Sequence, residues 1–311
     1  MIDTRKPFVL LDDTGENGAA RGRIQARRLL LGAPAMRRSV PFLLAMALTS
    51  CTFEGGGLAP FHPAAVAPAE PDLDVPYVPT PRPVVEAMLD LAALTPSDYL
   101  IDLGSGDGRI VVAAARRGAR ALGVDIDPAR VSEGYAAAQL ADVGTRASFR
   151  RQDIFDTPIR EASVVAAYLL PAINLRLRPR LLTELRPGTR VVTHAFTMGD
   201  WQPDEHRVID GRNIYLWIVP AVVGGAWTLT DGGATMTLSL DQRFQRVTGT
   251  LSGGGRTMAL RDVSLRGNRF AFTVDMSSGP RSYRGLVEGD SILPDPASPA
   301  AWRMRRASEQ P

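Results

Sequence analysis

Asp102, Asp125 and Asp153 each stand at the end of a short run that reads as a strand, and the first is followed by three alternating glycines, Gly104, Gly106 and Gly108. An apolar strand that ends in a carboxylate and turns through glycines into a helix has the form of a nucleoside-cofactor site. A residue without Cβ lets the backbone turn tightly and lets a ligand lie directly on the main chain. Spacing decides which ligand. A dinucleotide fingerprint, G-x-G-x-x-G, would need its third glycine at position 109, where this chain has Arg109. Asp102 would repel a pyrophosphate and attract a positively charged amino group. S-adenosylmethionine carries a zwitterionic amino-acid tail and no phosphate. The turn, Ser105 included, would then serve close approach rather than anion capture.

The later acids fall where such a ligand needs them. Ala121 to Asp125 reads as a second strand, ending in an acid 23 residues after Asp102 and suited to paired ribose hydroxyls, with Ile126 beside it. Asp127 and Pro128 read as a helix cap and first turn. Ala147 to Arg151 reads as a third strand, after which Asp153 could accept from an adenine amino group while Ile154 or Phe155 covers the ring. Taken singly, these residues are a turn, a cap and solvated acids. Three strand ends in order, supplying one ligand, are the expected geometry of an open parallel sheet.

The stretches D-L-G-S-G-D-G-R (102–109), G-V-D-I-D-P (123–128) and Q-D-I-F (152–155) resemble motif I, post-I and the adenine motif of the class I S-adenosylmethionine-dependent methyltransferases, over about residues 76–220. Y-V-P-T-P at 77–81 resembles the small FAM173-like protein-lysine methyltransferases, distantly similar to the Dot1 type. The resemblance implies cofactor contacts at Asp102, Gly104, Ser105, Gly106, Gly108, Asp125, Ile126, Asp153 and Ile154, and a protein amine as first-choice acceptor, with a small molecule close behind. Tyr168-Leu169-Leu170-Pro171 stands where an N-P-P-Y-like motif would mark adenine or glutamine N-methylation, and disfavours both. Tyr168 is the candidate for lining the place where an amine loses its proton; its simpler reading is an aromatic wall. His194 could act as a base, though a strand-end histidine is more simply hydrogen-bonded, and His206 reads as surface. Two other classes stay in view. Arg109 opposes an NAD-type oxidoreductase, and a non-catalytic, exported nucleoside-binding lipoprotein is the alternative without chemistry.

The elements that must position these residues read as a doubly wound, mostly parallel seven-strand α/β sheet followed by a small antiparallel β barrel or sandwich. An amphipathic helix over 83–94 leads, and 164–168 and 191–194 are buried strands. Residues 175–185 read as helical, with Leu175, Leu177, Leu181, Leu182 and Leu185 as the apolar set and Pro179 either kinking the helix or splitting it in two. Two strands about Asp210 and Gly211 close the sheet. Beyond Pro220 the pattern changes to short alternating strands with turns at 231–233, 253–255, 267–268 and 289–290, a meander of about six or seven strands. The expected organisation is an N-terminal extension over 1–75, a methyltransferase domain over 76–220 and a β domain over 221–306.

With 311 residues and 45% hydrophobic content, the chain can bury two cores. Its single cysteine excludes an internal disulfide and a cysteine-based zinc cluster, and three scattered histidines have no metal spacing, so no metal is expected. The net charge of +3 supplies no case for nucleic acid as a partner, and Lys6 is the only lysine. Residues 36–51 have a basic start, a short apolar core and a lipobox-like Leu48-Thr49-Ser50-Cys51, with Met36 as the natural start. That grammar makes Cys51 a lipid-attachment candidate, with His62 in the Pro/Ala/Gly-rich tether that follows. The enzyme would be membrane-anchored or periplasmic, or cytoplasmic if the segment is no signal. Export would remove it from the cytoplasmic supply of its cofactor.

Overall fold

A computed structural model describes residues 77–296 and 301–307. The signal-like segment 36–51, Cys51, His62 and the tether lie outside the described residues.

The first sheet contains β1 (Tyr99–Leu103), β2 (Arg120–Asp125), β3 (Ala147–Arg151), β4 (Val164–Ala167), β5 (Arg190–His194), β6 (Glu205–Ile209) and β7 (Arg212–Ile218), in the order β3-β2-β1-β4-β5-β7-β6. The five strands from β3 to β5 are parallel, and β7 enters antiparallel between β5 and β6. β1 and β4 are buried along nearly their whole length, as strands covered on both faces must be. Leu100 packs on one face with helices α1 (Arg82–Leu91), α2 (Arg109–Arg116) and α3 (Pro128–Leu140), while Ile101 and Leu103 pack on the other with α4 (Pro171–Glu184). Asp127 caps α3 by accepting from Ala129 N at 2.8 Å, with Pro128 at the first helical position.

α4 departs from expectation. It begins at Pro171 rather than at 175, because a proline at the first helical position brings its φ already set for a helix. Its buried stripe is Ile173, Leu177 and Leu181, a four-residue spacing that turns Leu175 outward at 44% exposure and leaves Pro179 inside a continuing helix.

The second sheet has nine strands rather than six or seven: β8 (Gly225–Asp231), β9 (Ala234–Arg243), β10 (Arg246–Gly253), β11 (Arg256–Ala259), β12 (Arg261–Arg266), β13 (Arg269–Met276), β14 (Gly279–Glu288), β15 (Ser291–Pro294) and β16 (Trp302–Arg306). Each strand pairs antiparallel with the next, except that β11 and β12 are successive parts of one bent run. Leu260 forms the bend, its N–H donating to Gly249 O at 3.0 Å. β16 returns to pair with β8, so the sheet is a nearly closed barrel filled by side chains such as Trp227, Phe270, Phe272, Tyr283 and Met304. The short strands β11 and β15 carry too little alternation to be counted from sequence.

A main-chain hydrogen bond from Ala221 N to Gly267 O, at 2.8 Å, ties the chain leaving the first sheet to the β12–β13 turn of the second. Among the described residues every ion pair takes its cation from an arginine. No helix among them is long and apolar enough to cross a membrane.

Candidate active site

The carboxyl ends of β1, β2 and β4 open into a cleft of about 160 Å³. After β1 the chain turns back on β2: Gly104 N and Ser105 N both donate to Val124 O at 2.9 Å. Asp125 braces the next step, accepting from Gly106 N at 2.8 Å and from Asp127 N at 3.0 Å through its two oxygens. A carboxylate oxygen has room for a second donor, so both remain available to hydroxyls. Gly106 has φ +52°, and a Cβ there would lie 2.4 Å from the ring of Tyr77. That contact explains the glycine: the segment 77–80 lies across the turn.

Asp102, at the mouth of β1, is 1% exposed, and among the described residues no hydrogen-bond donor reaches its carboxyl. Burial, joined by the charges of Asp125 and Asp107, pushes its pKa up to about 8. Ser105 Oγ is likewise buried without a partner. A cationic group on a ligand would satisfy the carboxyl, and any polar ligand atom would satisfy the hydroxyl.

Asp102, Gly104, Ser105, Gly106, Asp125, Ile126, Asp153, Ile154 and Tyr168 all line this one cleft. Gly108 does not. It caps α2 in the left-handed region at φ +79°, and a Cβ on it would meet Phe149 and Gly134 beneath the sheet edge. Asp153 accepts from Phe155 N at 2.8 Å, which curls the 153–157 turn. Arg180 of α4 clamps that turn by donating to the carbonyls of Ile154, Phe155 and Thr157, while Glu184 holds its guanidinium at 2.7 Å.

Tyr168 follows β4 and faces the cleft beside Leu169 and Ile173. Behind it lie His194, with ring centroids 4.0 Å apart, and Phe196 at 6.2 Å. His194 is buried and shares a 3.2 Å hydrogen bond between Nδ1 and Thr80 Oγ1. Burial, together with the positive charge of Arg212, lowers its pKa to about 4, so the ring is neutral near pH 7. His206 lies on the exposed strand β6, stacked on Tyr215 with centroids 4.6 Å apart.

Sequence reasoning missed the strap over the cleft. Arg109, bound in a fork by Asp107 with its shortest contact at 2.5 Å, donates to Thr80 O at 2.8 Å. Arg130 lies 4.4 Å over the Tyr77 ring. The signal was present in Y-V-P-T-P and in the arginine that replaces a third glycine, but a side-chain hydrogen bond to a carbonyl 29 residues away does not show in local pattern.

Residues 102–205 match the ANTKMT methyltransferase domain family. The chain is 42% identical over 151 residues to a protein-lysine N-methyltransferase of Saccharolobus islandicus, covering 47% of this chain and 94% of that relative. It is 36% identical over 132 residues to the adenine nucleotide translocase lysine N-methyltransferase of Mus musculus, covering 42% of this chain and 57% of that relative. A solved structure described as an RNA methyltransferase from Salinibacter ruber, in complex with S-adenosyl-L-homocysteine, is 49% identical and has a TM-score of 0.46, covering 47% of this chain and 96% of that one.

Proposed function

The chain belongs to the family of S-adenosylmethionine-dependent protein-lysine N-methyltransferases, and on that premise we propose that it methylates the side-chain amine of a lysine in a partner protein. The observation that carries the reading is the 42% identity across 94% of the Saccharolobus islandicus enzyme. The cleft is consistent with it. Asp102 suits the cofactor's amino group, Asp125 its ribose hydroxyls, the 104–106 backbone its close approach, and Asp153 with Ile154 its adenine. Bound there, S-adenosylmethionine supplies an electrophilic methyl that an amine lone pair takes in an in-line displacement.

The chain's own work is alignment and exclusion of water. Tyr168, Leu169 and Ile173 offer a wall of aromatic and apolar surface along which a lysine stem can pack. Such a wall favours the neutral amine over the ammonium, so the proton is shed to solvent as the stem enters. His194, neutral and held by Thr80, serves as backing for the wall rather than as a base.

Transfer of labelled methyl to fractionated extract tests the reading, with Asp125→Ala as control. Protease-sensitive label recovered as methyl-lysine, and lost in the control, is expected. Label sensitive only to ribonuclease, or confined to small molecules, would overturn the acceptor. The segment 36–51 supports a second element of the proposal, attachment to a membrane surface through lipid on Cys51. Metabolic labelling with a radioactive fatty acid, present in the natural protein and absent from Cys51→Ala, is its test.

A further inference from the structure

We propose that the C-terminal barrel is a working part of the methyl-acceptor site: the β9–β10 hairpin tip, through Phe244, holds the 195–202 segment that backs Tyr168. Three consecutive residues make the contact. Arg243 pairs with Asp200 at 2.6 Å, the Phe244 ring stacks on Trp201 with centroids 6.1 Å apart, and Gln245 Nε2 donates to Gln202 O at 2.7 Å.

The tip is built for this. Arg243 and Arg246 pair, so Phe244 and Gln245 alone make the turn. Phe244 has φ +56° at the first of the two positions, where a hairpin turn ordinarily takes glycine. A bulky residue in that conformation points to a role for the side chain. Gln242 fixes the base of the hairpin, its amide accepting from Val223 N and donating to the carbonyls of Ala221 and Phe244.

From Trp201 the contacts run without a gap to the cleft. Arg178 of α4 lies over the Phe244 ring at 5.4 Å and donates to Met198 O at 2.8 Å, and it also pairs with Asp200. Buried Asn174 donates to Thr197 O at 3.3 Å, one residue along α4 from cleft-lining Ile173. Thr193 Oγ1 donates to Phe196 O at 2.6 Å, and the Phe196 ring stacks on Tyr168. The family match ends at residue 205, so this buttress is supplied by a part of the chain beyond it.

The inference rests on the amine-methyltransferase reading, and its test is separable from it. Phe244→Gly in the full chain relieves the backbone strain while removing the ring, and Phe244→Tyr restores a ring. The glycine variant is expected to keep its melting temperature and its cofactor affinity. It should exchange amide hydrogens faster across 195–202 but not across 102–109, and should lose about tenfold in kcat/KM for the protein acceptor, with recovery in Phe244→Tyr. Unchanged exchange at 195–202 would overturn the proposal, as would a parallel loss of cofactor affinity or undiminished transfer. If the natural protein marks no lysine, the functional reading fails, and hydrogen exchange still decides the inference.

Discussion

Two buried acids sit at opposite ends of β1, and the protein treats them in opposite ways. Asp98, at the entry, accepts from Thr95 N at 2.7 Å, Thr95 Oγ1 at 2.9 Å and Ser163 Oγ at 2.7 Å, and pairs with Arg190. Burial alone would raise its pKa, but these bonds outweigh it and hold the carboxyl below its ordinary value. Asp102, at the exit, has the burial and none of the donors, and its pKa rises to about 8. A fold that supplies four donors to one acid and none to the next, four residues on, has left the second for something outside the chain. The saturated acid closes the structural end of the sheet; the unsatisfied one marks the end where a ligand belongs.

Exchanging readouts between these two acids is the sharpest way to break that contrast. Asp98→Ala strands Arg190 and the Ser163 hydroxyl, and should lower unfolding free energy by about 3 kcal/mol, measured by denaturant titration. If cofactor affinity fell as steeply as stability, the division of labour would be wrong. Asp102→Asn should do the reverse, with folding intact and cofactor affinity, measured calorimetrically, weaker by about thirtyfold.

The pH dependence of stability separates the groups more finely. Folded Asp102 holds its proton up to about pH 8 whereas the unfolded acid loses it near 4, so its contribution falls as pH rises through that interval. His194 runs the other way: its folded pKa of about 4 lies below the ordinary value of 6.5, so acid below 6.5 weakens the fold. The two slopes oppose each other from 4 to 6.5, which leaves 6.5 to 8 as the window for Asp102. There the ligand-free protein should lose up to about 1.4 kcal/mol per pH unit, and Asp102→Asn should flatten the slope. The smallest expected effect is at the acceptor end. If Tyr168 is a wall, Tyr168→Phe should keep kcat within about threefold, while Tyr168→Ala loses more.

Much of the cleft was legible because its residues follow one another along the chain. The 102–108 turn, Asp125 and Asp153 are each announced by a strand just before them, and a parallel sheet gathers strand ends by construction. What stayed hidden depends on partners distant in sequence. Arg109 reads locally as a failed glycine, yet it ties down Thr80. Arg180 reads as one more charge on α4, yet it clamps the 153–157 turn at the cleft. Leu175 fits an apolar set by residue type, but it stands two residues from both Ile173 and Leu177, about 200° round the helix from that buried stripe, and so faces outward. The tip at Phe244 escaped for a related reason: the barrel turns singled out in the sequence carry glycine, while this one uses a strained aromatic whose ring stacks on Trp201, outside the barrel.

The arginine-only ion pairing has an outcome of its own. Lys6 is the chain's single lysine, and none of the described residues is one. A guanidinium keeps its charge and offers no free amine lone pair. An enzyme that alkylates lysine therefore finds none on its own described surface. Two molecules colliding there cannot mark each other, and in a labelling experiment those residues stay dark while the true acceptor lights up.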